Sequence, residues 1–591
     1  MNLAVSARPA RGHGLSPRPA TIRNMPDWRL APEDPAAASR LARETGVSAR
    51  LAGLLRRRGI ETAAEARAFL DPCGESLHDP SLLAGADAAA DLLVSTARRG
   101  RRVVVFGDYD VDGVTAVAQL RAALRRIGAD VAAFIPHRLR DGYGLKPDTV
   151  RRVLAELSPA AIVTVDCGIT ALEGVACARA AGVDVIVTDH HLVPRQLPEG
   201  AIVVNPKQPD CRYPFRELAA SGIAMKIAQA VARRAGVALS EDSLLRAAAL
   251  GTIADLVPLQ GENRSIAARG LAALANSRAP GLKALLAESG LAPGAAPTAE
   301  EVAFRIAPRL NAAGRIDTAH LALDLFEERD EARSAEIARE LSTRNGERQR
   351  LERHVVASAR ARIEADDDAC AALIVEADPG WHRGVLGIAA SRLAREYHRP
   401  VLLFGIDGDR ASGSGRSIPG VSLHGMLEDL AGHFTDFGGH AQAVGASLRA
   451  SGFPGFREEA RDHFSARVPA AALVRVEEAE AELPLEEVSE ELVAELSRLE
   501  PHGAGNPRPV FLARGATATG PFSPLGSSGL SGRFHAGRRD LRCVAWQPGP
   551  ELSGLASARV PMDLLFRVEA GRYSHRPEVE VLGARLAGSP P

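Results

Sequence analysis

The residues that could do chemistry in this chain are acids and histidines placed directly after apolar runs. Gly107-Asp108-Tyr109-Asp110-Val111-Asp112-Gly113 sets three carboxylates at alternating positions after Val103–Phe106. Asp166-Cys167-Gly168 follows Ala161–Val165, and Thr188-Asp189-His190-His191 follows Val183–Val187. Gly251-Thr252-Ile253-Ala254-Asp255 adds another acid after an Ala-rich segment. Carboxylates crowded into one cleft cannot all ionise unless cations neutralise them. A mixed carboxylate and imidazole set suits Mn²⁺, and Mg²⁺, better than a thiophilic metal. A carboxylate shared by two such ions about 4 Å apart would give the arrangement used for in-line phosphoryl displacement. An Asp after a strand is also a favoured helix N-cap. Capping explains any one of these sites, but it does not explain the ordered set with its His pair.

The elements that must position these groups are legible around them. Val103–Phe106, Val131–Ile135, Ala161–Val165, Val183–Val187 and Ala201–Val204 are short, Val- and Ile-rich runs separated by helix-length stretches. Near-continuous hydrophobicity of that kind fits strands covered on both faces, and the alternation predicts a doubly wound parallel sheet. Ligands of such sheets bind beyond the carboxyl ends of the strands. If the strands are neighbours, Asp110, Asp112, Asp166 and His190 converge in one crevice.

The remaining segments divide the chain further. Residues 1–35 read as a disordered Pro/Arg tail with no apolar signal core, and translation is expected to begin at Met25. Residues 36–100 read as helices, with Leu41, Leu51, Leu54 and Leu55 at helical spacing. The metal-binding α/β domain is expected over 101–317, a long charged connecting helix over 318–368, and a smaller α/β domain over 369–470. Residues 471–591 begin with an acidic stretch, Glu477–Glu500, expected as a solvated helix. They end in apolar-polar alternation that predicts a small antiparallel β-barrel.

The motifs GDYDVDG, VDCG, TDHH and GTIADLVPL, in this order, resemble those of the DHH phosphoesterase superfamily, with GDYDVDG in the form found in RecJ proteins. The resemblance implies a DHH domain, a DHHA1 substrate domain and an OB-fold. It implies two divalent cations, Mn²⁺ or Mg²⁺. Asp110 and Asp166 would hold the first; Asp112, Asp166, His190 and Asp255 would hold the second. Other DHH families carry a His where this chain has Phe106, and Asp108 is expected to compensate. His191 would contact the scissile phosphate. Arg138, Arg309 and Arg315 resemble basic residues that line the DNA path. So do His382 and Arg383 in Trp381–Val385, Ser414 and Arg416 in Gly413–Ser417, and His440 in Asp436–His440. The segments rich in glycine read as turns whose backbone amides approach a phosphate. Phe534, Trp546 and Tyr573 are candidates for base stacking on the OB-fold, with burial in a core as the competing role.

The implied activity is 5′→3′ exonucleolytic hydrolysis of single-stranded DNA in recombination and repair. Single-stranded DNA with a 5′ end is the expected partner, with a helicase and a single-strand-binding protein as associates. A nanoRNA or cyclic-dinucleotide phosphodiesterase shares the metal motifs, and an inactive DNA-binding scaffold is the reading from another class. Composition narrows these little. The 591 residues exceed one core, and the net charge of −1 leaves any nucleic-acid site to local clusters of Arg. No apolar stretch reaches the ~20 residues of a membrane span. Six separated cysteines fit reduced thiols and a cytoplasmic location. No Walker A sequence occurs, so no ATP motor is implied.

Overall fold

The computed structural model describes residues 26–74, 77–138, 140–366, 372–526, 529–546, 548–571 and 576–589. Met25, the tail before it and Tyr573 lie outside the described residues. The chain forms two compact units, one built mainly of Arg350–Glu477 and the other of Trp28–Gln349 with the chain from Glu478 onward. Among the described residues no helix is long and apolar enough to cross a membrane.

The larger unit is organised by a five-stranded sheet. Its order is Val131–Phe134, Val103–Phe106, Ala161–Val165, Asp184–Thr188, Ala201–Val204, and every pairing is parallel. The two strands that carry the acids, Val103–Phe106 and Ala161–Val165, are buried along their whole length. That follows from helices packing on both faces, which is why these runs show no polar alternation. In sequence terms the strand order is 2-1-3-4-5. The chain therefore leaves the first and third of these strands in opposite directions, opening a crevice at the carboxyl ends of Val103–Phe106 and Ala161–Val165. Val111–Arg126, Ala220–Ala235 and Glu241–Ala254 form the helical layer behind that crevice, and their apolar residues join one core with Val105, Val163 and Val165.

The N-terminal helices pack on the C-terminal sheet. Pro35–Thr45, Ala49–Arg57 and Ala63–Leu70 are capped by Asp34, Ser48 and Thr62. Their Leu41, Leu51, Leu54 and Leu55 share a core with Phe511, Phe534 and Phe566 of the C-terminal sheet. The predicted tail also reaches too far. Asp27–Leu30 is a strand, and Trp28 is 6% exposed beside Leu512 and Leu565, with the Arg585 guanidinium 4.6 Å from its ring.

The C-terminal sheet has seven strands, in the order Ala481–Glu482, Phe511–Ala516, Met562–Ala570, Pro577–Leu586, Arg539–Ala545, Gly529–Ala536, Ser523–Leu525. Two pairings are parallel, and the two edge strands do not pair with each other among the described residues. The expected antiparallel barrel is thus a sheet of mixed pairing that does not close among the described residues, its core completed by the N-terminal helices and by Glu490–Ser497. The acidic stretch is accordingly only partly solvated, because Leu492, Leu496 and Leu499 turn inward.

In the other unit the sheet order is Phe434–His440, Ala443–Arg449, Arg410–Arg416, Val401–Asp407, Ile374–Asp378. The helix Glu331–Ala365 runs from the larger unit into this one.

Candidate active site

Asp110 caps the helix Val111–Arg126, its Oδ1 accepting from the Gly113 amide at 3.0 Å. Asp112, in the first turn of that helix, accepts from the amides of Ala220 (2.7 Å) and Ser221 (2.9 Å) at the start of Ala220–Ala235. Gly251 lets the next helix close on this pair, for a Cβ there would stand 2.5 Å from Asp112 Oδ1. Asp166 follows its strand with φ +62°, a left-handed conformation that Asp tolerates better than most residues. The Tyr143 hydroxyl donates to the Asp166 carbonyl at 3.0 Å. His190 Nε2 lies 3.2 Å from Asp166 Oδ1 and 3.6 Å from Asp255 Oδ2.

These side chains resolve into overlapping groups whose donor atoms lie within 4.8 Å of one another: Asp108, Asp110 and Asp166; Asp112, His190 and Asp255; Asp166, His190 and His191. Phe106 is fully buried and stacked on Phe134, so no imidazole stands at that strand end. The first group is therefore all carboxylate, with Asp108 among its members.

Burial and the neighbouring carboxylates push Asp108 and Asp166 well above the usual range, with Asp255 raised to about 9 and Asp112 to about 6. Burial, with the His191 charge beside it, holds His190 neutral by lowering it to about 3. Among the described residues Asp108 Oδ1 and both His190 ring nitrogens are buried without a hydrogen-bond partner. Buried polar atoms without partners call for an explanation. Oxygen and neutral imidazole donors facing a common space fit divalent cations of the Mn²⁺ and Mg²⁺ kind.

His191 is held differently. Its Nδ1 is 2.7 Å from Asp189 Oδ1 and 3.4 Å from the Tyr143 hydroxyl. Burial opposes its charge, but the hydrogen bond and charge of Asp189 outweigh this and raise its pKa. Asp189 also accepts from the amides of Ile169 and His191. Sequence reasoning gave no role to Asp189, Tyr143, Ser221 or Asn311, whose Oδ1 accepts from the Val111 amide at 3.1 Å. Tyr143 sits beyond the carboxyl end of Val131–Phe134, and that position was the available signal.

The basic residues fall into two sets. In the larger unit, Arg138 stacks over the Tyr109 ring at 4.8 Å, and the charges of Arg138 and Arg315 both act on Tyr109. Arg309 is turned away into the helical layer. Its guanidinium donates to the Arg305 carbonyl and, at 3.1 Å, to Ser342 Oγ.

In the other unit, His382 caps a short turn by accepting from the Gly384 amide, and His440 is exposed on the edge strand. Ser414 Oγ accepts from Arg416 Nη1 at 3.2 Å. Gly387, in the first turn of Leu386–Tyr397, leaves room for both, because a Cβ there would be 3.0 Å from each side chain. Arg383 precedes that helix, its side chain lying over Gly405.

Two readings of these segments need correction. Gly413–Arg416 and Asp436–His440 are strands. Arg410–Arg416 is paired on both sides, so its backbone amides serve the sheet and do not approach a phosphate. Gly413 and Gly415 are there because Phe404, Leu402 and Val444 pack against the strand. Phe534 is fully buried and cannot stack on a base, whereas Trp546 is 52% exposed.

Family models match three segments: the N-terminal domain of the DHH family over 102–252, the DHHA1 domain over 369–467, and the RecJ OB domain over 479–582. The chain is 37% identical over 493 residues to the single-stranded-DNA-specific exonuclease RecJ of Bacillus subtilis, covering 83% of this chain and 62% of that protein. It is 35% identical over 491 residues to the corresponding exonuclease of Dickeya dadantii, covering 80% of this chain and 85% of that protein. A crystal structure of RecJ in complex with Mn²⁺ from Thermus thermophilus superposes with a TM-score of 0.81 at 31% identity, covering 95% of this chain and 80% of that one. A second, in complex with Mg²⁺, gives 0.76.

Proposed function

Because this chain belongs to the RecJ family, we propose that it is a single-stranded-DNA-specific exonuclease that works from 5′ ends with two divalent cations, Mn²⁺ or Mg²⁺. The observation that carries the reading is the convergence of Asp108, Asp110, Asp112, Asp166, His190 and Asp255 at the opening between the Val103–Phe106 and Ala161–Val165 strands. Asp108, Asp110 and Asp166 would hold one cation; Asp112, Asp166, His190 and Asp255 would hold the other. When bound, the cations activate water and offset the charge that develops on a phosphate under in-line attack.

The chain's own groups do the rest. The protonatable His191, steadied by Asp189, faces the same space and donates to the phosphate being cut. Water adds to phosphorus while the bond to the departing 3′-oxygen breaks, so the terminal nucleotide leaves. Arg138 and Arg315 contact the strand in the catalytic domain. Ser414 and Arg416, with Arg383 and His382, take the 5′-terminal phosphate. Residues 101–317 are the catalytic domain, 318–368 the connecting segment, 369–470 the substrate domain and 471–591 the nucleic-acid-binding domain. A role in recombination and repair, a cytoplasmic location, and a helicase and single-strand-binding protein as associates complete the reading.

The test compares end-labelled single-stranded DNA, duplex DNA and a dinucleotide, each with Mn²⁺ or with EDTA. Mn²⁺-dependent shortening of the single strand from its 5′ end is expected. Preference for the dinucleotide, or degradation from the 3′ end, overturns the reading.

A further inference from the structure

Asp255 differs from two of the acids it joins. Asp110 and Asp112 are fixed by hydrogen bonds to helix N-termini. Among the described residues the Asp255 carboxylate accepts no hydrogen bond, and the neutral His190 ring lies 3.6 Å away. Its position is therefore set by backbone on either side. On one side the helix Glu241–Ala254 ends, with the Asp255 amide on the Gly251 carbonyl at 2.9 Å. On the other side the chain turns sharply at Leu256, which is 67% exposed at φ +60°, a costly conformation for a Leu.

The turn is secured by the C-terminal part of the chain. The Leu259 amide donates to the Ala504 carbonyl at 2.7 Å, and Gln260 Nε2 donates to the Gly505 carbonyl at 2.8 Å. Gly503 and Gly505 allow this approach: a Cβ at 503 would stand 2.6 Å from Leu259 Cδ1, and one at 505 would stand 3.1 Å from Pro258 Cβ. The loop is itself locked by Asn506, which is fully buried. Asn506 Nδ2 donates to the carbonyls of Leu499 and Pro501, and its Oδ1 accepts from Arg58 Nε at 2.7 Å. Gly503 and Asn506 exchange backbone bonds across the loop.

We infer that the Gly503–Asn506 loop is a positioning element for the metal centre, with Asn506 and Gln260 acting through the Pro258–Gln260 backbone to aim Asp255 at its cation. The inference rests on the metal-dependent reading above. It gives the C-terminal domain a second task, distinct from any contact with DNA. Partners that hold a ligand in place commonly alter metal affinity by about ten- to a hundredfold when removed.

The experiment is a Mn²⁺ titration of the full chain, read by the electron paramagnetic resonance of free Mn²⁺, without DNA. It covers wild type, Asn506→Ala, Gln260→Ala, Asp255→Asn and the double variant Asn506→Ala/Asp255→Asn. Asn506→Ala should weaken one of two binding steps about tenfold. Gln260→Ala should weaken the same step by less, with an unchanged melting temperature in EDTA. The double variant should bind no more weakly than Asp255→Asn alone, because both changes act through one ligand. Gln260→Ala removes a single hydrogen bond, so it decides the matter if Asn506→Ala fails to fold. Variant titrations that overlay wild type, or losses that add in the double variant, overturn the inference. A wild-type chain that takes up no Mn²⁺ overturns the proposed function as well.

Discussion

Asp189 and His191 are two residues apart in one loop, and the Asp189 carboxylate grips the His191 ring, Oδ1 to Nδ1 at 2.7 Å. The carboxylate thus stands behind the imidazole and leaves Nε2 as its outward donor. Asp189→Asn keeps an acceptor of the same shape but removes the charge. It is expected to lower kcat about tenfold or more, with little change in KM for single-stranded DNA. His191→Phe should cost more, and adding Asp189→Asn to it should cost almost nothing further. Steady-state rates for the three variants on one oligonucleotide test this. Additive losses would show that Asp189 acts on something other than His191.

Asp166 joins two of the three ligand groups and sits at φ +62°. Asp166→Asn retains a residue at home in that conformation but weakens a shared ligand. Activity should fall by more than about a hundredfold, beyond the usual effect of losing an outer partner, while melting in EDTA is unchanged or higher, since one acid leaves a crowd. Asp166→Ala should be equally inactive and less stable than Asp166→Asn by about 1 kcal/mol, the cost of a left-handed Ala. Normal turnover by Asp166→Asn in Mn²⁺ would remove Asp166 from the ligand set.

Cation removal should make stability depend on pH with a defined sign. The carboxylates of Asp108, Asp166 and Asp255 have folded pKa values above their ordinary ones, Asp255 at about 9. Between about pH 7 and 9 the folded protein therefore holds protons that the unfolded chain has released, and stability falls as pH rises. His190 does not contribute in this window, being already neutral. Divalent cations take the place of those protons. The Tm in EDTA should drop across this window, and the increment added by Mn²⁺ should grow. Parallel melting curves with and without Mn²⁺ at each pH check it, and an increment that shrinks toward high pH would contradict it.

The acidic cluster was legible because the segments Asp108–Asp112, Asp166 and Asp189–His191 come just after unbroken apolar runs, and the strand order of a parallel sheet then brings the run ends together. What surrounds the ligands was less so. Tyr143 lies in an irregular loop, where no periodicity marks an aromatic as pointing at a carbonyl. Gly413 and Gly415 carry the composition of a turn, yet they are strand residues that make room for Phe404 and Val444. The partnership of Leu51 and Leu54 with Phe511 and Phe566 joins the two ends of the sequence, and local pattern carries no information on such a pairing. Phe534 shows the same limit. Apolar-polar alternation marked strands in this region, at Leu541–Trp546 and Val579–Val581, but which face of the Phe534 strand met a core depended on those distant helices.

Arg416 bears on the polarity of digestion. Its guanidinium and Ser414 Oγ stand together over Gly387 at the start of Leu386–Tyr397, a twelve-residue helix. A hydroxyl, a guanidinium and a helix N-terminus suit a phosphate dianion, whereas the strand amides are already paired. Arg416→Ala should therefore slow digestion mainly of 5′-phosphorylated strands, by about ten- to a hundredfold for a lost charge-assisted contact of roughly 1.5–3 kcal/mol. The gap to 5′-hydroxyl strands should narrow. Arg416→Lys should recover only part of the loss, because an ammonium cannot reproduce the fork. Initial rates on end-labelled oligonucleotides carrying either 5′ group distinguish the outcomes. Equal slowing of both substrates would make Arg416 a general backbone contact, since a residue that reads the terminal phosphate must act on the strand that bears it.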